Sequence, residues 1–104
     1  MKDQRRSRRI IASVPVEIQS DGGPQAALTA VINHHGALIL SSVHWPSGSE
    51  LMIKNPETGL EVRGRVVWAG SPDRSGTYKI GVEFKSSSPD FWGTRYDPHG
   101  EEAP

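Results

Sequence analysis

The sequence predicts an all-β protein in which six antiparallel strands close into a small barrel. Segments in which apolar and polar residues alternate recur along the 104 residues, and turn sequences rich in glycine, proline, asparagine and serine separate them. No stretch has the 3.6-residue apolar period of a helix. Gly64 and Gly81 interrupt two of the alternating segments, which is typical of the bulges and tight coiling that a small barrel requires.

Composition excludes several classes of protein. A chain of 104 residues is long enough for one core and too short for two. The absence of cysteine excludes a disulfide framework and thiolate chemistry, and no apolar run has the length of a membrane span or a signal-peptide core. We therefore expect one domain, located in the cytoplasm and not in a membrane.

Charge is distributed unevenly along the chain, although the formal net charge is zero. Acidic residues predominate after residue 89, whereas residues 1–9 are basic and contain Lys2, Arg5, Arg6, Arg8 and Arg9. The sequence therefore predicts a mobile basic arm over residues 1–9, a folded barrel over residues 10–93 and a disordered acidic tail over residues 94–104.

The first half of the chain predicts three strands. Residues 10–19 form the first, because Val14, Val16 and Ile18 alternate with polar residues, and Pro15 favours an edge or a strand start. The turn sequence of residues 21–24 leads to a second strand over residues 25–32. An apolar run over residues 37–40 predicts the third.

The turn between the second and third strands is a candidate site. It consists of Asn33, His34, His35 and Gly36. Gly36 can adopt a positive φ and has no side chain, so a flat ligand or another segment could approach closely. The alternative interpretation is an ordinary hairpin loop built from residues that favour turns. The turn sequence alone leaves both interpretations open.

The second half predicts three further strands, over residues 51–53, 60–68 and 78–84. Trp45 is expected to anchor the loop before them, and a short helical turn near residues 86–93 should lay Phe91 and Trp92 across one barrel opening. Leu60 and Trp68 are expected to share the inner face of their strand. The remaining predicted core residues are Val16, Ile18, Leu38, Leu40, Val62, Val66, Ile80, Val82 and Phe84.

The order of these motifs resembles the PilZ domain, the bacterial receptor module for cyclic di-GMP. PilZ domains have an Arg-x-x-x-Arg arm before the first strand, which Arg5 and Arg9 match, and Pro15-Val16 stands where the family commonly begins that strand. The second family motif, Asp/Asn-x-Ser-x-x-Gly, corresponds to residues 31–36, in which only the glycine matches outright. Residues 64–68, 80–84 and 89–93 resemble the closing hairpin and its continuation, so the resemblance covers roughly residues 5–93.

The resemblance implies a PilZ-like barrel that binds cyclic di-GMP and needs no cofactor. In such a domain the arm arginines Arg5 and Arg9 clamp the dinucleotide against the barrel, and Asn33 and Gly36 of the second motif contact it. The same comparison adds four further candidates, which are Arg6, Arg8, Val31 and His35.

The chemistry of the ligand agrees with the first motif better than with the second. A guanidinium group binds phosphate oxygens, or guanine O6 and N7, through paired hydrogen bonds. Val31 occupies the acidic position and offers no side-chain acceptor, and an unpaired guanine donor costs about 1 to 3 kcal/mol. Asn33 retains hydrogen-bonding capacity, and His35 could stack on a base or accept a hydrogen bond. We therefore expect weakened affinity.

Three functions remain open at this stage. The first is a cyclic di-GMP receptor, and the second is a degenerate PilZ domain that binds a protein effector without nucleotide. The third, a barrel that binds nucleic acid through its basic arm, is disfavoured by the zero net charge. We expect no enzyme and no metal site, because the four histidines lack an acidic cluster or a known ligand spacing and no nucleophile or phosphate-loop motif occurs.

Overall fold

The computed structural model describes residues 9–19 and 22–93, which form strands and turns with no helix among them. It follows that these ranges contain no helix capable of spanning a membrane. Residues 1–8 and 94–104 lie outside the described residues, so the predicted arm, the predicted tail and the domain boundaries stay predictions. The seven strands are β1 (Ile10–Ile11), β2 (Pro15–Gln19), β3 (Gln25–Asn33), β4 (Gly36–Ser41), β5 (Glu50–Asn55), β6 (Leu60–Ala69) and β7 (Tyr78–Phe84).

Six of these strands form a closed antiparallel barrel. The neighbours run in the order β2, β5, β6, β7, β4 and β3, and β3 also pairs with β2, which completes the ring. The additional strand, β1, pairs with the second half of β3. The predicted six-stranded barrel is therefore confirmed, with one short strand, β1, added beside β3.

The predicted first strand, residues 10–19, is divided into β1 and β2 by a break at residues 12–14. The buried hydroxyl of Thr29 bridges the break, because it accepts a 2.8 Å hydrogen bond from the Val14 N–H and donates one of 2.5 Å to the Ala12 carbonyl. Both backbone groups would otherwise lack these partners within the barrel wall. The alternating sequence did not indicate this break, although Pro15 does begin β2 as expected.

The barrel interior contains most of the predicted core. Trp45 packs against this core, as expected for the loop before β5. The predicted residues Val16, Ile18, Val62, Val66, Ile80, Val82 and Phe84 are all buried. The buried set is completed within the strands and the break by Val14, Ile32, Ile39, Leu51 and Ile53.

The prediction of which β4 side chains point into the barrel was wrong by one position. Ile39 is fully buried, at 0% exposure, whereas Leu38 and Leu40 are only half-buried. Ile39 pairs with Ile80 on one side and with Thr29 on the other, and both of these side chains point into the barrel. An uninterrupted apolar run carries no polar residue that marks its outer face, so the neighbouring strands decide the phase.

A β-bulge in β6 overturns the prediction for Trp68. Val66 pairs with Val82 and Trp68 pairs with Gly81, so β6 advances by two residues where β7 advances by one. The extra residue, Val67, reverses the alternation and turns Trp68 to the outside, where it is 50% exposed. The bulge lies opposite Gly81, one of the two glycines that indicated irregular strands. Leu60, also predicted inside, is exposed at the start of the same strand.

The C-terminal segment closes one end of the barrel with a turn and not with a helix. Phe91 and Trp92 are buried there, and the ring of Phe91 meets those of Phe84 and Trp92 edge-on at centroid distances of 5.5 and 4.7 Å. The Phe91 carbonyl accepts a 2.8 Å hydrogen bond from the buried amide of Asn55. The predicted aromatic cover is therefore confirmed.

Candidate functional site

A concavity of about 630 Å³ lies on the outer surface of the barrel beside the turn between β3 and β4. Its wall crosses β3, β4, β7 and the bulge of β6, and the residue before β1 lies along one side. The lining residues are Arg9, Val31, Asn33, His35, Gly36, Ala37, Leu38, Val67, Val82 and Glu83.

The structure brings together five of the residues that the sequence predicted for a site. Arg9 of the arm and Val31, Asn33, His35 and Gly36 of the second motif all line this concavity. The other three candidates, Arg5, Arg6 and Arg8, lie outside the described residues.

Pairing between β1 and β3 explains how Arg9 reaches the turn. Ile10 pairs with Ile32 and Ile11 with Val31, so β1 runs antiparallel to β3 and begins beside the C-terminal end of β3. The Ala12 N–H extends this pairing with a 3.2 Å hydrogen bond to the Ala30 carbonyl. The residue immediately before β1 therefore lies next to the second motif.

Hydrogen bonds hold the turn between β3 and β4 from two sides. The Oδ1 atom of Asn33 accepts a 2.7 Å hydrogen bond from the His35 N–H, which is an Asx turn. The His34 and His35 carbonyls accept hydrogen bonds of 3.0 and 2.7 Å from the Ser88 and Phe84 N–H groups. The expected hydrogen-bonding capacity of Asn33 is thus partly used within the turn, as the hairpin-loop interpretation anticipated.

Close packing against β7 requires a glycine at position 36. It is buried, and its φ is not among the positive values that the structure shows at five other glycines. A Cβ atom at this position would collide with the carbonyl oxygen of Val82. Of the two expectations for this glycine, positive φ is wrong and the close approach of another segment is confirmed. The segment is β7.

The concavity has an apolar wall and a polar rim. Val31 and Leu38 are paired neighbours on the outer face of β3 and β4, and Val67 projects from the bulge. Arg9 lies on the β1 side of this apolar strip, and Glu83 lies on the β7 side. An apolar strip between a cation and a carboxylate suits a flat ring that carries an anionic group on one side and hydrogen-bond donors on the other.

Sequence reasoning assigned five of the lining residues to no site, and these are Ala37, Leu38, Val67, Val82 and Glu83. Val67 enters through the β6 bulge, which reverses the strand alternation locally. Glu83 enters because β7 pairs with β4 and places it opposite Gly36. The outward position of Glu83 could be read from the alternation of β7, but its neighbour across the sheet could not.

A second concavity, of about 440 Å³, lies at the opposite end of the barrel and contains none of the predicted site residues. The rings of His44 and Tyr78 meet there at a centroid distance of 5.2 Å. Among residues 9–19 and 22–93, no three His, Asp or Glu side chains are grouped closely enough to hold a metal ion. The first concavity is therefore the better candidate for the predicted ligand.

The sequence matches the family model of the PilZ domain over residues 3–91, a range that includes both motifs and all seven strands. The chain belongs to the PilZ domain family. PilZ domains form a family of cyclic di-GMP receptors and act as binding or adaptor modules. This PilZ domain departs from the family pattern where Val31 and Asn33 replace the acidic residue and the serine of the second motif.

A solved structure supports the fold of this PilZ domain. The Bacillus subtilis inhibitor of motility, MotI/DgrA, superposes with a TM-score of 0.67 over 84% of this chain, at 20% sequence identity. The PilZ domain described here spans 45% of the length of that protein, and at this identity the similarity shows a shared fold alone. No curated protein sequence matches the chain significantly.

Proposed function

We propose that this PilZ domain is a cytoplasmic receptor for cyclic di-GMP and that the ligand occupies the concavity beside the β3–β4 turn. The observation that carries the proposal is the convergence of Arg9, from the first family motif, with Asn33 and Gly36, from the second, on one concavity. These motifs are far apart in the sequence, and β1–β3 pairing brings them together. One ligand can therefore contact both.

In the proposed binding mode, arginine side chains bind the polar groups of the ligand and apolar side chains contact the face of a base. The guanidinium of Arg9 donates paired hydrogen bonds to a phosphate or to a guanine edge, and Arg5, four residues earlier, contacts the same ligand. The apolar side chains of Val31, Leu38 and Val67 receive the face of a base. The arm thus clamps the dinucleotide against the barrel wall.

The second motif limits the affinity in this proposal. Val31 cannot accept a hydrogen bond through its side chain, and the Oδ1 atom of Asn33 already accepts one from the His35 N–H. A guanine donor that loses water without gaining a partner costs about 1 to 3 kcal/mol, which corresponds to roughly one to two decades in Kd. We expect a Kd weaker than that of a domain with both motifs intact.

Calorimetric or NMR titration with cyclic di-GMP tests the proposal directly. Wild type should bind, Arg9→Ala should lose binding, and Arg74→Ala should bind like wild type, because Arg74 is exposed in the turn between β6 and β7, away from the concavity. Circular dichroism should show that all three proteins are folded. Absence of any heat or shift change with wild type at millimolar ligand would refute the receptor function.

A second candidate function is a protein-binding adaptor without nucleotide. It is favoured by apolar side chains exposed beside the concavity, above all Ile11 at 90% and Val67 at 49% exposure. Co-purification of a partner that is lost in Ile11→Ser, together with no response to cyclic di-GMP, would support this function. Polynucleotide binding that weakens steeply with salt would instead indicate the nucleic-acid alternative.

A further inference from the structure

Glu83 lies on the side of the concavity that faces away from Arg9. It belongs to β7 and pairs in register with Gly36, the glycine of the second motif. The N–H of the next residue, Phe84, donates a 2.7 Å hydrogen bond to the His35 carbonyl, which holds this part of β7 against the turn. Among the described lining residues, Glu83 is the carboxylate of the concavity.

The proposed ligand carries hydrogen-bond donors for which Val31 of the second motif provides no side-chain acceptor. The edge of guanine carries the N1–H and N2 amino donors, which must find acceptors when the base leaves water. Val31 offers no side-chain acceptor. A carboxylate has two oxygens and can accept both donors side by side. Glu83 has this chemistry and lies in the same concavity as Val31.

We propose that Glu83 determines guanine selectivity in this PilZ domain. Its carboxylate accepts the N1–H and N2 amino hydrogens of a guanine and so takes the part of the acidic residue that Val31 replaces. This inference rests on the proposed function. Adenine carries an acceptor and not a donor at N1, and it has no N2 amino group. The same carboxylate therefore disfavours an adenine dinucleotide.

The surroundings of Glu83 allow it to act toward an anionic ligand. Among the described residues, Glu83 forms an ion pair with Arg65 at 3.8 Å, and the side chains of Glu83 and Arg65 are 59% and 53% exposed. A pair this long and this exposed contributes little binding energy, so the carboxylate can exchange Arg65 for a base edge. Arg65 meanwhile offsets the negative charge that Glu83 would present to the phosphates.

The distance between the strands that position Arg9 and Glu83 also suits the two ends of the proposed ligand. β1 and β7 are three interstrand steps apart, through β3 and β4. At about 4.8 Å per step, the strand that positions Arg9 lies roughly 14 Å around the wall from the strand that carries Glu83. This leaves room for a nucleotide with its phosphate toward Arg9 and its base edge toward Glu83.

The test measures Kd for cyclic di-GMP, cyclic di-IMP and cyclic di-AMP with wild type, Glu83→Gln and Glu61→Gln. Hypoxanthine retains N1–H but lacks the N2 amino group, so cyclic di-IMP isolates one of the two hydrogen bonds. Glu61 is the matched control, because it is an exposed carboxylate on β6 that pairs with Lys54 and does not line the concavity.

Glu83→Gln should weaken cyclic di-GMP binding about tenfold, which is the lower end expected for a hydrogen bond to a charged acceptor. It should also shrink the preference for cyclic di-GMP over cyclic di-IMP and cyclic di-AMP, whereas Glu61→Gln should change neither. Wild type that binds cyclic di-GMP, with Glu83→Gln that binds it equally or more tightly, would overturn the role of Glu83 alone. Wild type that binds no cyclic di-GMP would overturn the receptor function and this inference together.

Discussion

The indole Nε1–H of Trp92 donates a 2.9 Å hydrogen bond to the carbonyl oxygen of Asn33. Trp92 is buried in the C-terminal turn, and Asn33 ends β3 at the candidate site. The Ser88 N–H makes a second link to the same turn, through the His34 carbonyl at 3.0 Å. The aromatic cover of the barrel and the proposed ligand site are therefore one connected structure.

Trp92→Phe should destabilise the domain by about 1 to 2 kcal/mol, because it removes the hydrogen bond to Asn33 and part of a buried ring while keeping an aromatic side chain. Chemical denaturation measures the change. Trp68→Phe is the control, since Trp68 is half-exposed and should change the free energy of unfolding by less than about 0.5 kcal/mol. Equal effects of the two substitutions would contradict the link.

Ile39→Ala and Leu38→Ala test the phase of β4 with adjacent residues of equal size. Ile39 is fully buried, so Ile39→Ala should lower the free energy of unfolding by about 3 kcal/mol because the change leaves a cavity. Leu38 is half-buried on the outer face, so Leu38→Ala should lower the free energy of unfolding by only about 1 kcal/mol. Denaturant titrations of both variants report the difference. The reverse order of stability would restore the phase that the sequence predicted.

Where no other acceptor meets the guanine donors, Val31→Asp should tighten cyclic di-GMP binding by about 1 kcal/mol, or roughly fivefold in Kd, because it supplies an acceptor from β3. Val67→Asp is the control: it places a carboxylate elsewhere on the same concavity, where repulsion of the phosphates should weaken binding. If Glu83 already accepts the guanine donors, the gain from Val31→Asp should be larger in a Glu83→Gln background. Equal tightening by both aspartates would argue against a specific acceptor at position 31.

The turn at residues 73–77 predicts a shifted titration. The Ser75 hydroxyl donates a 2.7 Å hydrogen bond to Asp73 and is the main cause that lowers the pKa of this carboxyl below its ordinary value of 3.8, with the Thr77 N–H adding a second at 3.0 Å. Because the folded-state pKa is depressed, the ionised carboxylate stabilises the turn above its ordinary pKa, and this contribution is lost as pH falls through the folded value.

Ser75→Ala should therefore raise the pKa of Asp73 toward its ordinary value, as followed by the carboxyl carbon shift in an NMR titration. Ser71→Ala, in the same connection between β6 and β7, should leave the midpoint unchanged. An unchanged titration midpoint of Asp73 in Ser75→Ala would contradict the role of the Ser75 hydroxyl in lowering this pKa.

Much of the architecture was readable from local pattern. Alternation in β2, β6 and β7 identified Val16, Val62, Val66 and Ile80 as core residues, because each has a charged residue on at least one side, which marks the outer face of its strand. The sequence of residues 33–36 identified the hairpin turn, because polar residues that favour turns separate two apolar runs there. The order of these motifs also indicated the PilZ family, and the family match confirms it.

Other features depended on which strands become neighbours. Nothing near Thr29 in the sequence shows that its hydroxyl will bridge a break between β1 and β2, since the two backbone groups lie 15 and 17 positions earlier. The phase of β4 followed from pairing with β3 and β7. The outward turn of Trp68 followed from a bulge whose position depends on the partner strand.

The sequence by itself determined the residue types that a site can use: an arginine arm, a turn with Gly36, and Val31 in place of an acidic residue. Only the tertiary structure decided that Arg9 and Glu83 flank one apolar concavity. The physical reason is that side-chain alternation is a local property of each strand, whereas register is a property of pairs of strands distant in sequence. Barrel closure sets those pairs, and so it selects the carboxylate that reaches the site.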